Sequence, residues 1–331
     1  MNTKVTIIIP AFNEAPVIQR CINSLLKQTI IPNIIVVNDG STDETLDKLV
    51  KYEYLDNFYL INQTNQGVSV ARNRGIKAAT TEFITFVDAD DYVEKNFVEI
   101  LLEGYSSKDD IDLSICNYSM RRLNNTTFCG KFKTSVIDKF KYFDSVIDDF
   151  GVNGFIYNKL FKKSIIKKYN ILFNPKIAIG EDFLFSFLYG GHCQKIALND
   201  SVQIHYLPTE SGISDTMQIS GRFSPKIFSY FDANIKIIRY LYSLNTDEKL
   251  SPTINREISR TAVAASTIIR KVYLYHEINY YDKLTRLRSF IKKNWLVIML
   301  DSKLSRNDKT KIFISAYCPK LLNQFDKVKF T

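Results

Sequence analysis

The strongest constraint on this chain is the alternation over its first third of short apolar runs, at 5–9, 34–37, 58–61 and 83–87, with helical patterns at 15–27, 42–52, 68–79 and 94–105. Apolar runs of that length bounded by turn residues read as buried strands, and the stretches between them carry the spacing of amphipathic helices. Strands joined through crossover helices turn right-handed and form a parallel sheet covered on both faces. The pattern therefore predicts a Rossmann-like, mostly parallel α/β sheet with flanking helices. Open sheets of this kind bind ligands at the carboxyl ends of their strands. Four polar loops are expected on that edge: Pro10-Ala11-Phe12-Asn13-Glu14, Asn38-Asp39-Gly40-Ser41-Thr42-Asp43, Asn62-Gln63-Thr64-Asn65-Gln66-Gly67 and Asp88-Ala89-Asp90-Asp91.

The last loop sets three carboxylates within four residues, directly after the run 83–87. Crowded carboxylates repel one another, and a hard divalent cation that also grips phosphate oxygens is a natural counter-charge. The alternative is an acidic turn capping a helix over 92–102. In an extended segment Asp88 and Asp90 point the same way, so both are expected to face one ligand. The first strand turn has no glycine, which excludes the dinucleotide fingerprint, and no Walker-type phosphate loop occurs anywhere.

Composition adds further bounds. At 331 residues, 45% hydrophobic and 24% charged, the chain suits one large globular domain plus a smaller one. The late apolar run Trp295-Leu296-Val297-Ile298-Met299-Leu300 is far too short to span a bilayer, and the first residues lead straight into a strand, so a cytoplasmic protein is expected. Five scattered cysteines without a Cys-x-x-Cys spacing predict reduced, mostly buried thiols. Charge is uneven: 221–331 holds 21 Lys plus Arg against 9 Asp plus Glu, while 1–220 is slightly acidic. That last third reads as helical at 225–244, 253–275, 281–293 and 308–317. A catalytic domain is thus expected over 1–220 and a basic helical domain over 221–331, with the junction near 211–223. Within the catalytic domain, 111–136 reads as extended, and 141–148, 159–169 and 181–189 as helical.

The four loops, together with Ala71-Arg72-Asn73-Arg74-Gly75, stand in the order of the signature of family 2 glycosyltransferases of the GT-A fold, which this sequence resembles closely over about 4–105 and more loosely to about 215. The resemblance implies transfer of a sugar from a nucleotide donor, a UDP-sugar by preference, to an acceptor hydroxyl in surface polysaccharide or glycoconjugate synthesis. It divides the catalytic domain into a nucleotide-binding half, 1–105, and an acceptor and base half, 106–220. Asp39 would accept from the uracil imide, though an Asx turn is the structural alternative, with Pro10, Ala11, Phe12, Glu14, Asn65 and Gly67 lining the nucleotide. Arg72 would reach uracil or phosphate, and Lys159 the pyrophosphate or acceptor unless it merely starts a helix. Asp90 would ligate Mn²⁺ or Mg²⁺ directly, Asp88 would hold the donor ribose or the metal through water with Ala89 beside it, and His205 would complete the metal shell. Asp91 would cap the next helix or support the metal. Asp182, beside Glu181 in Gly180-Glu181-Asp182, would be the general base, kept ionised by the amino end of its helix.

Two other readings stay open on the sequence. A nucleotidyltransferase acting on a sugar phosphate shares the neighbourhood but lacks a phosphate loop at the first strand turn. A non-catalytic sugar- or nucleic-acid-binding protein would use the basic tail, although Asp88–Asp90 and Glu181–Asp182 argue for chemistry, and no nucleic acid is expected. The tail residues Arg270, Lys271, Lys292 and Lys293 are expected to face an anionic surface, such as the inner face of the plasma membrane or a lipid-linked, glycan or glycopeptide acceptor. Self-association through the same helices is equally compatible.

Overall fold

Strands β1 (Val5–Ala11), β2 (Asn33–Asn38), β3 (Phe58–Asn62) and β4 (Phe83–Phe86) run parallel in the spatial order β3-β2-β1-β4. Helices α1 (Ile18–Leu26), α2 (Thr45–Val50) and α3 (Val68–Ala78) form the crossovers. The computed structural model describes residues 3–106, 110–121, 127–148, 151–207 and 223–321. It divides into two compact units, Met1–Thr209 and Glu210–Thr331. The expected junction at 211–223 lies, apart from Phe223, outside the described residues.

The parallel half follows from its composition. Ile7, Ile8, Ile9, Ile34, Val36 and Val37 are all fully buried, as strands covered on both faces require. Register brings the strand ends level: Ala11 lies opposite Asn38, and Asn38 opposite Asn62. The polar loops therefore leave the sheet along one edge.

The rest of the first unit extends the same sheet with mixed directions. It comprises β5 (Tyr92–Val93), α4 (Phe97–Glu103), β6 (Leu113–Arg121), β7 (Thr127–Cys129), β8 (Ser135–Ile137), α5 (Lys139–Ile147), β9 (Lys159–Lys162), α6 (Lys163–Lys168), α7 (Glu181–Gly190) and β10 (Ile196–Tyr206). The sheet continues β4-β9-β6-β10-β5, with β9 antiparallel to both neighbours and β10 parallel to β6. Two expected helices start later than their patterns, as α4 and α6, and the residues before them form strands. Tyr92–Val93 pairs antiparallel with His205 and Ile204, and helix α4 starts only after Asn96. Lys159–Lys162 forms a strand between β4 and β6, where Lys159, Leu160 and Phe161 are fully buried. In both cases cross-strand pairing outweighs local helical spacing.

An aromatic cluster fills the space behind β4. Phe86 meets Phe161, Phe173 and Phe185 edge-on at ring-centroid distances of 5.9, 5.3 and 5.8 Å, while Phe173 and Phe185 stack at 4.2 Å. These rings form a close-packed floor beneath the side chain of Arg72, which lies over Phe173.

The second unit is helical: α8 (Ile227–Leu244), α9 (Ser251–Leu274), α10 (Tyr281–Lys293), α11 (Trp295–Leu300) and α12 (Arg306–Tyr317). Helix α9 packs against the other four, and Ala262, Ala265, Ile268, Ile269 and Val272 meet Phe231, Leu287, Ile291, Ile298 and Ile312 in one core. A helix surrounded in this way buries even its polar positions, among them Glu257 and Lys271. Lys271 therefore faces no surface, contrary to expectation. Three of the five cysteines, Cys21, Cys116 and Cys193, are buried, whereas Cys318 is exposed; all five are free. No described helix is long and apolar enough to cross a membrane.

Gly75 shows why α3 ends its motif with glycine: a Cβ there would stand 2.3 Å from Cγ2 of the buried Ile8 on β1. Replacing a helical glycine by alanine ordinarily stabilises by about 0.8–1 kcal/mol, but overpacking costs about 1–3 kcal/mol. Gly75→Ala is therefore expected to lower the urea midpoint of unfolding; a raised midpoint would show that α3 can retreat from the sheet.

Candidate active site

At the edge of the parallel half, short polar side chains stitch the first three loops together. Asn13 adopts a left-handed conformation with φ 57°, which places its Oδ1 to accept from the backbone N–H of Thr42 at 2.8 Å, while its own N–H donates to Ser41 Oγ at 3.0 Å. Asn38 Oδ1 accepts from Ser41 Oγ at 2.6 Å, closing the turn after β2. Asp39, 3% exposed, reaches across to the third loop: Oδ1 accepts from Gln63 Nε2 at 2.6 Å and Gln66 N at 2.9 Å, and Oδ2 from Gly67 N at 2.7 Å. The local turn thus belongs to Asn38, and Asp39 holds the amino end of α3. A carboxylate has about four lone-pair sites, so one remains for a ligand. Gly40, with φ 73°, is needed because a Cβ would approach Asn65 N to 2.7 Å. Phe12 is 44% exposed, Asn65 and Gly67 line the same rim, Ala11 is buried and Pro10 half-buried.

The fourth loop is a turn, not an extended segment: Asp91 N–H donates to Asp88 O at 3.1 Å. Asp88 and Asp90 therefore do not follow the alternation of an extended strand, and a compact turn crowds the three acids instead. Burial pushes the Asp90 carboxyl up to about 6, with the charge of Asp88 adding to the effect. Asp91 is driven well above the usual carboxylate range by burial, then by Asp88 and Asp90. Its Oδ1 accepts from Leu207 N at 3.3 Å and its Oδ2 is buried without a hydrogen-bond partner among the described residues. It caps no helix, since Asn96 stands at the start of α4.

Glu14 joins this group, which its place in the first loop did not reveal. Burial pushes its carboxyl up to about 7, followed by the charges of Asp90, Asp88 and Asp43. Four carboxylates from two loops thus share one low-polarity neighbourhood.

Arg72, on the second turn of α3, departs most from expectation. Its guanidinium is 5% exposed; Nη2 donates to Asp88 Oδ1 and Nη1 to Glu181 Oε1, each at 2.8 Å. It lies over the Phe173 ring at 5.3 Å. Burial lowers its affinity for the proton, but Asp88 and Glu181 outweigh burial and hold the guanidinium charged. It therefore bridges two acids of the site. Next to it, Asn73 Nδ2 donates to Phe173 O at 2.8 Å and its Oδ1 accepts from Phe173 N at 2.9 Å. Helix α3 so fixes the segment that leads through Gly180, φ 85°, into α7.

Asp182 opens α7. Burial pushes its carboxyl up to about 7, Glu181 adds to the rise, and Arg72 and the N–H of Phe183 only partly oppose it. The helix amino end, expected to keep it fully ionised, loses to burial.

Two expected residues are engaged elsewhere. Lys159 donates to Asn153 O at 2.9 Å, Phe155 O at 2.5 Å and Asn158 Oδ1 at 3.0 Å; burial lowers its ammonium to about 7. It tethers the chain segment before β9. His205 stacks on Tyr92 at 4.6 Å, with Nδ1 bonded to Ser119 Oγ at 2.7 Å and Nε2 to Glu94 Oε1 at 2.8 Å. Both ring nitrogens have partners here, and through them it pins β10 to the strand after the acidic turn.

Among the described residues no three His, Cys, Asp or Glu converge as a complete metal shell. The carboxyl oxygens of Asp90 and Glu14 are hard donors whose pKa values stay raised even though Arg20 Nη2 donates to the backbone O of Asp90 at 2.5 Å. Such a set fits a cation that takes one or two protein carboxylates and completes its shell with phosphate and water, as Mg²⁺ does.

The chain is similar to known proteins. Residues 6–169 match the family model described as Glycosyl transferase family 2. EpsH of Bacillus subtilis is 33% identical over 208 residues, 61% of this chain and 60% of that protein. TarP of Staphylococcus aureus, a poly(ribitol-phosphate) beta-N-acetylglucosaminyltransferase, is 24% identical over 294 residues, 87% of this chain and 88% of that one. The crystal structure of S. aureus TarS 1–349 with UDP-GlcNAc covers 99% of this chain and 92% of its own at 19% identity, with a TM-score of 0.67, and shares the fold. The chain spans about three fifths of the length of EpsH.

The bridge makes a measurable demand on stability. Removing one partner of a buried ion pair typically costs about 3–5 kcal/mol. Arg72→Ala is expected to fall in that range by urea unfolding, and Arg72→Lys to recover part of the loss because one ammonium lacks the planar fork that spans both acids. Equal stability of wild type and Arg72→Ala would remove the bridge from this role.

Proposed function

We propose that this chain, which belongs to glycosyl transferase family 2, moves a sugar from a UDP-sugar to an acceptor hydroxyl with inversion at the anomeric carbon. The observation that carries the reading is the Arg72 bridge: one buried guanidinium ties the acidic turn, through Asp88, to Glu181, the neighbour of Asp182. The turn suits the leaving-group side of a transfer and Asp182 the acceptor side, and inversion requires those two functions on opposite sides of one carbon.

The roles follow from chemistry. Asp182 takes the proton of the attacking hydroxyl; a base whose pKa lies near 7 is efficient at neutral pH, because a stronger acid would hold the proton too weakly. Asp39 uses its remaining lone pair for the base imide, beside the exposed ring of Phe12. Asp90, with Glu14, would hold Mg²⁺ or Mn²⁺, whose charge would offset that of the departing nucleoside diphosphate. Arg72 keeps Asp88 and Glu181 in place, Lys159 supports the segment before β9, and His205 braces the turn from behind. The UDP-GlcNAc bound by TarS and the polymer named for TarP support a hexosyl or N-acetylhexosaminyl donor and a glycan or polyol-phosphate acceptor in surface-polymer synthesis.

Three measurements test this. A panel of nucleotide sugars should yield metal-dependent release of UDP with one of them; pyrophosphate release from a nucleoside triphosphate and a sugar phosphate would replace the reading with nucleotidyl transfer. Asp182→Asn should lower transfer by about 10²–10⁴-fold while UDP affinity is unchanged, and normal turnover would remove Asp182 as base. Because Asp182 accepts a proton only when ionised, kcat/KM should rise with pH and level off above about 7.

Stability should run the other way. Glu14, Asp90 and Asp182 all have folded values above their unfolded ones, so the folded state binds the extra protons between about pH 4 and pH 7. The melting temperature without divalent ions should be highest toward the acid side of that window and fall as pH rises through about 6–7. Mg²⁺ or Mn²⁺ should restore it, and Asp90→Asn should flatten both effects. A wild-type melting temperature indifferent to these ions would count against the proposed metal.

A further inference from the structure

The second unit carries a face that the proposed chemistry does not use. Helices α10 and α11 are nearly continuous through Asn294, whose N–H donates to Phe290 O at 3.2 Å and whose carbonyl accepts from Ile298 N at 3.1 Å. One side of this pair, Ile291 and Ile298, is fully buried in the helical core. The other side presents Lys292, Lys293, Leu296, Met299 and Leu300 at helical spacings of three and four. Leu296 is 72%, Leu300 74% and Met299 44% exposed.

The neighbouring helix widens the patch with aromatic rings. Trp295 is half-buried and meets Phe313 and Tyr317 of α12 at 5.5 and 6.2 Å; those two rings stack at 4.8 Å and are 43% and 40% exposed. Lys292 Nζ lies 5.0 Å from the Tyr317 ring, and Lys309 Nζ donates to Met299 O at 2.7 Å at the end of α11. Over 292–321 there are seven Lys or Arg against two Asp.

We infer that this α11–α12 face seats the protein on an anionic phospholipid surface, with Leu296, Met299 and Leu300 entering the acyl boundary and Lys292 and Lys293 at the headgroups. Exposed leucines beside a tryptophan and a tyrosine, rimmed by lysines, are the elements of a helix lying in a membrane interface. Charge selects this occupant over a second copy of the chain: self-pairing of the face would bring two basic rims together, whereas an anionic headgroup layer attracts each lysine near it. Lys271, expected among the surface lysines, is buried and takes no part. Seating on lipid is independent of the transfer reaction.

Trp295 is the sole tryptophan of the chain, so its emission reports on this face alone. The full chain is mixed with phosphatidylcholine vesicles containing or lacking phosphatidylglycerol. Binding is expected to the anionic vesicles only, with co-sedimentation that weakens as salt is raised and a Trp295 emission shift to shorter wavelength. Lys292→Gln with Lys293→Gln should lower binding by on the order of tenfold, and Leu296→Glu with Leu300→Glu should abolish it. Both pairs are solvent-exposed, and unchanged circular dichroism and melting temperature would show the fold intact. Equal binding to neutral vesicles, an unshifted Trp295, or full binding by the Leu296→Glu, Leu300→Glu variant overturns the inference. A wild-type oligomer that this variant dissolves, without vesicle binding, overturns it in favour of a second copy.

Discussion

The first unit turns on one buried cation. The guanidinium of Arg72 sits against the ring of Phe173 with a carboxylate at 2.8 Å on either side. Taking the guanidinium and the Glu181 carboxylate out of water costs several kcal/mol per ion, while Asp88 stays 31% exposed, and such an arrangement persists only where geometry and packing are both favourable. Here the packing comes from the stack of Phe173, Phe185 and Phe86, and the geometry from the fork of arginine, which points two donors at two acids at once. A lysine lacks that fork. The same cation that pairs Asp88 also pairs Glu181, so the turn after β4 and the start of α7, far apart in sequence, form one electrostatic unit.

Only part of the site's negative charge is compensated this way. Arg20 lies beside the turn, its Nη2 donating to the backbone O of Asp90 at 2.5 Å, but it opposes the rise only in part: burial, with mutual repulsion, pushes the carboxyls of Glu14, Asp90 and Asp91 up. A chain selected for stability alone would not gather these groups at the end of a sheet. Sites that oppose stability in this way are where function is expected. Asp182 follows the same logic. A helix amino end favours a carboxylate by about 0.3–1 kcal/mol and at most ~2 kcal/mol, which is too little against burial beside Glu181. The outcome is a carboxyl poised near neutrality, which suits a proton acceptor better than a permanently ionised one.

What the sequence disclosed and what it concealed divide along local and non-local physics. The parallel half was legible because its strands are continuous Val/Ile runs and its crossovers have helical spacing; both are properties of neighbouring residues. The polar loops were legible for the same reason. Tyr92–Val93 and Lys159–Lys162 were not, because their conformation is decided by distant partners: His205 and Ile204 for the first, Phe83, Ile84 and the β6 residues for the second. The burial of Lys271 is likewise a consequence of four helices surrounding α9. Glu14 was placed with the nucleotide because it follows Phe12 and Asn13 in sequence, and only the fold turns its carboxyl toward Asp88 and Asp90. Arg72 stands out in the sequence within Ala71-Arg72-Asn73-Arg74-Gly75, but its partners are 16 and 109 positions distant, and no local pattern reports them.

Helix α3 joins these parts mechanically. Its first N–H, from Gly67, is held by Asp39; Arg72 stands one and a half turns later; Asn73 grips the backbone of Phe173 from both sides; and Gly75 presses against Ile8 without a side chain between. Gly67 and the eleven residues of α3 thus carry a contact to the end of β2, the bridge to the acidic turn, the clamp on the segment leading to Asp182 and the close approach to the sheet. A rigid helix fixed at each of these points cannot shift one of them alone. Whatever binds beside Asp39 bears on the same body that sets the positions of Asp88 and Glu181, and the proposed division of labour between leaving-group side and acceptor side rests on that body staying in register with both.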